Sequence, residues 1–194
     1  MHALLSEAER ARAVRYRQPG DVERFVKSRG ALRRILSERI GADARALAFV
    51  EGGGRKPELR DHPAVHFNVS HSGAFALIAI GDAPLGVDIE QIKPDIGWRA
   101  LAVTHMHPDE RAVLASLPET QTRDAFFQFW THKEAYLKAT GIGLTDELPS
   151  IAVPLQGGPV AVPSTLPGGW HATPLDAPAG YRASIVTRDA PFRH

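Results

Sequence analysis

Apolar residues recur at helical spacing in two long stretches of this chain. Each stretch ends on glycine and is followed by short apolar segments that glycine and proline cut apart. In residues 21–40 the repeating positions are Phe25, Leu32, Ile35, Leu36 and Ile40, with Gly41 as the stop. In residues 122–140 they are Phe126, Phe129, Trp130 and Leu137, with Gly141 after the end. After the first helix comes a short apolar piece, 46–50, and the turn-rich loop Gly52-Gly53-Gly54-Arg55-Lys56-Pro57. Residues 66–70 then alternate, Ser72-Gly73 interrupts, 74–80 is a continuous apolar run ended by Gly81-Asp82 and Pro84, and 85–89 reads as a third strand. This predicts an antiparallel meander packed on the first helix. Pro108-Asp109-Glu110 marks a further helix start, with both acids serving the cap, and Leu117-Pro118 closes that helix. Beyond Leu148, the pairs Gly157-Gly158, Gly168-Gly169 and Ala179-Gly180 separate apolar pieces at 151–155, 160–162, 170–175 and 181–186, a second meander. The expected fold class is α+β, two halves that are each a helix followed by short antiparallel strands, although no sequence identity between them establishes a duplication.

The chain has 194 residues, 43% of them hydrophobic and 23% charged, enough for a sizeable core. A formal net charge of +1 gives no support for a nucleic-acid or membrane partner. Charge is uneven, however: from Arg10 to Arg39 there are ten Arg or Lys against three acids, Asp21, Glu23 and Glu38. Such a segment attracts phosphate, although charged stripes are also what helix surfaces ordinarily show. The absence of cysteine excludes disulfides, thiolate nucleophiles and Cys-ligated zinc, and it suits a reducing compartment. Residues 1–10 lack the apolar run of a secretory signal and the run 74–80 is too short to span a bilayer, so a soluble, cytoplasmic protein is expected.

The chemistry must then come from carboxylates, His, Lys or Ser. In the strand Gly86-Val87-Asp88-Ile89-Glu90, period-two geometry puts Asp88 and Glu90 on one face and Val87 and Ile89 on the other. Two neighbouring carboxylates repel unless both face water, one is protonated, or a cation lies between them. The second long helix reads Phe129-Trp130-Thr131-His132-Lys133-Glu134-Ala135-Tyr136-Leu137-Lys138. It places Glu134 and Lys138 at i, i+4, by itself an ordinary surface pair contributing about 0.3–0.5 kcal/mol.

Three phrases in this order, HFNVSHSG (66–73), GVDIE (86–90) and FWTHKEAYLKATG (129–141), resemble the 4'-phosphopantetheinyl transferases, and the chain looks like their larger, monomeric type. The resemblance implies two similar subdomains in a pseudo-twofold arrangement, each a long helix on a small antiparallel sheet, here dividing at 1–90 and 91–194. It implies transfer of the phosphopantetheine arm of coenzyme A to a serine of an apo acyl or peptidyl carrier protein, an acidic partner, with release of adenosine 3',5'-bisphosphate. It also implies Mg²⁺ held by Asp88, Glu90 and Glu134, a hard cation on oxygen ligands. Glu134 or Glu90 would be the base, and Lys138 and Lys133 would contact the diphosphate. The 3'-phosphate would fall to His71, Arg29, Arg33 and Lys56, with Ser70 adding a hydroxyl contact. Where the family shows Gly-Lys-Pro ahead of the first motif, this chain has Arg55-Lys56-Pro57.

The same residues bear on two other functions and on a zinc site. A metal-dependent phosphodiesterase or nuclease also uses clustered acids, but Glu90 is followed by Gln91 and Ile92 rather than by the nearby lysine such sites prefer. A non-catalytic coenzyme A or carrier-protein binding module would not need Asp88, Glu90, Glu134 and Lys138 together. His105 and His107 match no closed zinc spacing.

Overall fold

The computed structural model describes residues 1–52, 56–142, 148–153, 164–190 and 192. Of the expected features, Gly53-Gly54-Arg55, the end of the piece 151–155, Gly157-Gly158 and the piece 160–162 lie outside the described residues. The chain is α+β, its strand pairings all antiparallel among the described residues, and it divides into two compact units.

The first unit is Met1–Glu51 with Pro57–Pro63. Its first helix, α1 (Glu7–Val14), starts on a capping box in which Ser6 and Glu9 satisfy each other's amides. The apolar spacing gave no sign of it. Helix α2 (Pro19–Ile40) begins two residues earlier than expected, on Pro19, and ends at Gly41, whose φ of 71° closes the last turn in the left-handed region. Strands β1 (Phe49–Glu51) and β2 (Pro57–Leu59) pair antiparallel, and Leu32, Leu36, Leu47 and Leu59 are buried.

The second unit is Gly52–Lys56 with Ala64–His194. Strands β3 (His66–Ser72) and β4 (Phe75–Gly81) form a hairpin turning at Gly73, φ 55°. Strand β5 (Leu85–Gln91) does not continue that hairpin as the expected meander would. It pairs with the last strand of a four-stranded sheet of order β5-β8-β7-β6, where β6 is Ser164–Leu166, β7 Trp170–Leu175 and β8 Tyr181–Arg188. This pairing ties residues 85–91 to the C-terminal strands, so the units differ from the expected division at residue 90.

The physical reason lies in β3. Its alternate side chains take the β5 amides that a neighbouring strand would otherwise accept: Val87 N donates to Asn68 Oδ1 (2.9 Å), Ile89 N to Ser70 Oγ (3.3 Å) and Gln91 N to Ser72 Oγ (3.0 Å). Helices α3 (Trp98–His105) and α4 (Pro108–Ser116) lead to α5 (Glu119–Thr140), which lies on the sheet. Phe126, Phe129, Ala135 and Leu137 of α5 share a core with Trp170, Ala172 and Val186.

Candidate active site

Register and pleat place Gly86, Asp88 and Glu90 of β5 on the face that α5 covers, opposite Val186, Ser184 and Arg182 of β8. The approach is closest at Gly86, where a Cβ would collide with the carbonyl oxygen of Ala135 and the amide nitrogen of Ala139. From the same stretch of α5, between Ala135 and Ala139, Lys138 Nζ reaches Asp88 Oδ1 at 2.6 Å and Ser70 Oγ at 3.0 Å. Ser70 Oγ also donates to Asp88 Oδ1 at 2.8 Å, and Ser72 Oγ donates to Glu90 Oε2 at 2.8 Å. Asp88 is 1% exposed, yet among the described residues its second oxygen, Oδ2, has no partner, and neither has the buried Oε1 of Glu134.

These acids lie near enough to feel one another's charge. Burial pushes the Glu134 carboxyl up to about 7, the negative charge of Asp88 adds to the shift, Lys138 opposes it, and Glu90 raises it further. Glu90 is also raised, first by burial and then by Asp88, against the Ser72 hydrogen bond and the charge of Lys138. Between its ordinary 4.5 and about 7, the folded protein holds the Glu134 proton while the unfolded chain has released it. Stability therefore falls as pH rises through that window, and above it the full loss remains with no further dependence on pH from this group. Glu134→Gln should make that falling limb shallower in a plot of urea midpoint against pH, the raised carboxyls of Glu90 and Glu110 keeping their own share; an unchanged slope would show that Glu134 is not buried as described.

Among the described residues, no three carboxylates or imidazoles converge as a ready-made metal site. The reason is visible in the bonds: Asp88 Oδ1 is turned to Lys138 and Ser70, and Glu90 Oε2 to Ser72. What remains for a cation is the pair of orphaned oxygens on Asp88 and Glu134, together with the oxygen of Glu90 that Ser72 does not hold. That donor set fits Mg²⁺, which takes one or two carboxylates and completes its shell with water and substrate phosphate.

The remaining expected residues divide. His71 is exposed on β3, on the face opposite Ser70 and Ser72. Lys56 Nζ donates to the carbonyl of Leu85 at the start of β5, at 2.6 Å. Arg29 is mostly covered, 3.3 Å from Glu9 and stacked over Phe49, and burial lowers its pKa. Arg33, expected at the 3'-phosphate, is instead a structural cation. It is 2% exposed, 2.6 Å from Glu9, and donates to the carbonyls of Ala44 and Leu47, which leaves its guanidinium no accessible edge for substrate.

Lys133 is corrected in the same way. Its ammonium is fully buried, 2.8 Å from Glu110, and donates to the carbonyls of Leu148 (2.9 Å) and His105 (3.2 Å), so all three N–H groups are spent inside the fold. Glu110 does cap α4, accepting from His107 N, but it also accepts from Val153 N and balances Lys133. Lys133→Ala leaves a buried carboxylate without its counterion and should cost about 3–5 kcal/mol in urea unfolding. Combining Lys133→Met with Glu110→Gln should recover part of that, because glutamine still accepts from Val153 N and carries no charge.

With this geometry in view, the comparisons with known proteins converge. The family model described as the 4'-phosphopantetheinyl transferase superfamily matches residues 84–186, and the one described as 4'-phosphopantetheinyl transferase, N-terminal, matches residues 1–82. The chain belongs to the 4'-phosphopantetheinyl transferase superfamily. It is 40% identical over 146 residues to the 4'-phosphopantetheinyl transferase HetI of Nostoc sp. (73% of this chain, 62% of that protein). To the 4'-phosphopantetheinyl transferase psf-1 of Bacillus pumilus it is 37% identical over 153 residues (78% of this chain, 64% of that protein). To the 4'-phosphopantetheinyl transferase Sfp of Bacillus subtilis it is 30% identical over 164 residues (82% of this chain, 71% of that protein). The chain thus spans less than two thirds of the length of the first two relatives. A solved structure, the holo-[acyl-carrier-protein] synthase of Thermotoga maritima, shows a partial likeness with a TM-score of 0.43 and 16% identity, covering 54% of this chain and 61% of that chain.

Proposed function

We propose that this protein transfers the 4'-phosphopantetheine group of coenzyme A to a serine hydroxyl of an apo acyl or peptidyl carrier protein. The observation that carries this reading is the pair of unpartnered buried oxygens, Asp88 Oδ2 and Glu134 Oε1, beside the Lys138 ammonium in a chain of this family. Asp88 and Glu134, with Glu90 alongside, would hold Mg²⁺, which neutralises diphosphate charge when bound.

The serine oxygen attacks the phosphorus that bears the pantetheine arm, and the bond from that phosphorus to the adenosine-side phosphate oxygen breaks. Adenosine 3',5'-bisphosphate leaves with the bonding pair. Glu134 or Glu90 would take the serine proton, each a carboxylate at the edge of the site where the hydroxyl must arrive. Lys138, already on the α5 face turned to Asp88, offsets charge that grows on the leaving oxygen. His71 and Lys56 offer donors to the phosphates of coenzyme A.

Among the described residues no helix is long and apolar enough to cross a membrane, and the proposed setting is a monomer in the cytoplasm. The test is incubation with Mg²⁺, coenzyme A and several apo carrier proteins, read by intact mass. Gain of the phosphopantetheinyl mass on a carrier is expected. No gain on any carrier, together with no binding of coenzyme A, would overturn the reading.

A further inference from the structure

The contact between β3 and β5 does more than satisfy backbone. Ser70 and Ser72 each accept an amide of β5, from Ile89 and Gln91, and each donates its single hydroxyl proton to the carboxylate one residue earlier, Asp88 and Glu90. A serine hydroxyl has one proton and two lone pairs. At Ser70 the proton goes to Asp88 Oδ1, while Ile89 N and Lys138 Nζ take the lone pairs, so nothing is left for a substrate. At Ser72 the proton is committed to Glu90 Oε2.

The turn that follows Ser72 is held from outside the hairpin. Gly73 has φ 55°, and a Cβ there would collide with the Tyr181 hydroxyl and lie 2.7 Å from Gln91 Oε1. Ala74 N donates to that same hydroxyl at 3.3 Å, and the ring of Phe75 meets Tyr181 edge-on at 4.9 Å. The end of β3 is thereby pressed onto the first residues of β8, opposite the end of β5.

We propose that Ser70 and Ser72 are positioning residues: paired hydroxyls on alternate positions of β3 orient the carboxylates of Asp88 and Glu90 for the cation, and do not themselves bind coenzyme A. Each fixes one oxygen of its carboxylate, so the remaining oxygen is presented without the rotamer search a free side chain would need. This rests on the proposed transferase site and replaces the substrate contact expected of Ser70.

Ser72 gives the cleaner test, since it does not touch Lys138. Mn²⁺ affinity is measured on the full chain without coenzyme A, alongside kcat, the KM for coenzyme A and the thermal midpoint. Ser72→Ala should weaken Mn²⁺ binding about tenfold and lower kcat, with the KM for coenzyme A unchanged, as expected for loss of a partner behind a metal ligand. Ser72→Thr, which keeps the hydroxyl, should restore both. A raised KM with unaltered Mn²⁺ affinity would make Ser72 a substrate contact and overturn the proposal, as would equal Mn²⁺ affinity in all three proteins or no Mn²⁺ binding by the unsubstituted chain. If the chain binds Mn²⁺ with the expected Ser72 dependence but modifies no carrier, the positioning role stands and the transfer reading fails.

Discussion

Asp88→Asn should lower phosphopantetheine transfer by about 10²–10³-fold, the scale of losing one fixed charge-stabilising group at a reacting centre, while the protein stays folded. Asparagine keeps the size of the side chain and an oxygen that accepts from Ser70 and Lys138, so packing around the 1%-exposed position survives. What it removes is the negative charge and with it the unpartnered anionic oxygen now at Oδ2. The stability change should be modest, about 1 kcal/mol or less, because the partner ammonium is 29% exposed and can turn to water. Initial rates of holo carrier formation and a urea denaturation curve check the two halves of this expectation. A variant within tenfold of the natural rate would remove Asp88 from the cation site.

Gly86→Ala should fail for a different reason, through the fold rather than the chemistry. The added methyl would overlap backbone atoms of Ala135 and Ala139, which belong to the last two turns of α5 and are backbone, with no side-chain freedom to yield. Helix and strand must separate, at a cost of about 3 kcal/mol or more, the upper range for overpacking. The separation also draws Lys138 away from Asp88, so transfer should be lost together with stability. Gly20→Ala is the matched control: nothing lies within 4 Å of its added Cβ in α2, and the substitution should be neutral or stabilising by up to about 1 kcal/mol. If chemical denaturation finds the two variants equally stable, the close approach of β5 to α5 is wrong.

The parts of this architecture carried by local pattern were legible in the amino-acid order. Helices α2 and α5 announce themselves through apolar spacing and their terminal glycines, and the shared face of Asp88 and Glu90 follows from the pleat alone. The partner of β5 was not legible, because β8 lies far along the chain and a strand's period carries no information about which edge it will meet. Short helices such as α1 and α3 offer too few turns for a stripe to stand out.

The misread cations are more instructive. Lys133 stands four residues after Phe129 and four before Leu137, in the middle of the apolar stripe of α5, and Arg33 lies three residues before Leu36, on the buried side of α2. Position on the stripe marked both as buried groups that need an internal counterion. Similarity to family motifs pointed the other way, because motifs record which residue types are present and not which way they face.

The amides of Val87, Ile89 and Gln91 lie along the outer margin of the four-stranded sheet, where an extended foreign peptide would find a ready template. Because side chains of β3 rather than a strand backbone occupy them, the sheet ends there without a further strand, and its growth is blocked by three small polar groups. Stripping Asn68, Ser70 and Ser72 together to alanine would leave these three amides without acceptors under a β3 that still covers them, so the loosening of this sheet margin and the loss of a fixed Asp88 would share one origin.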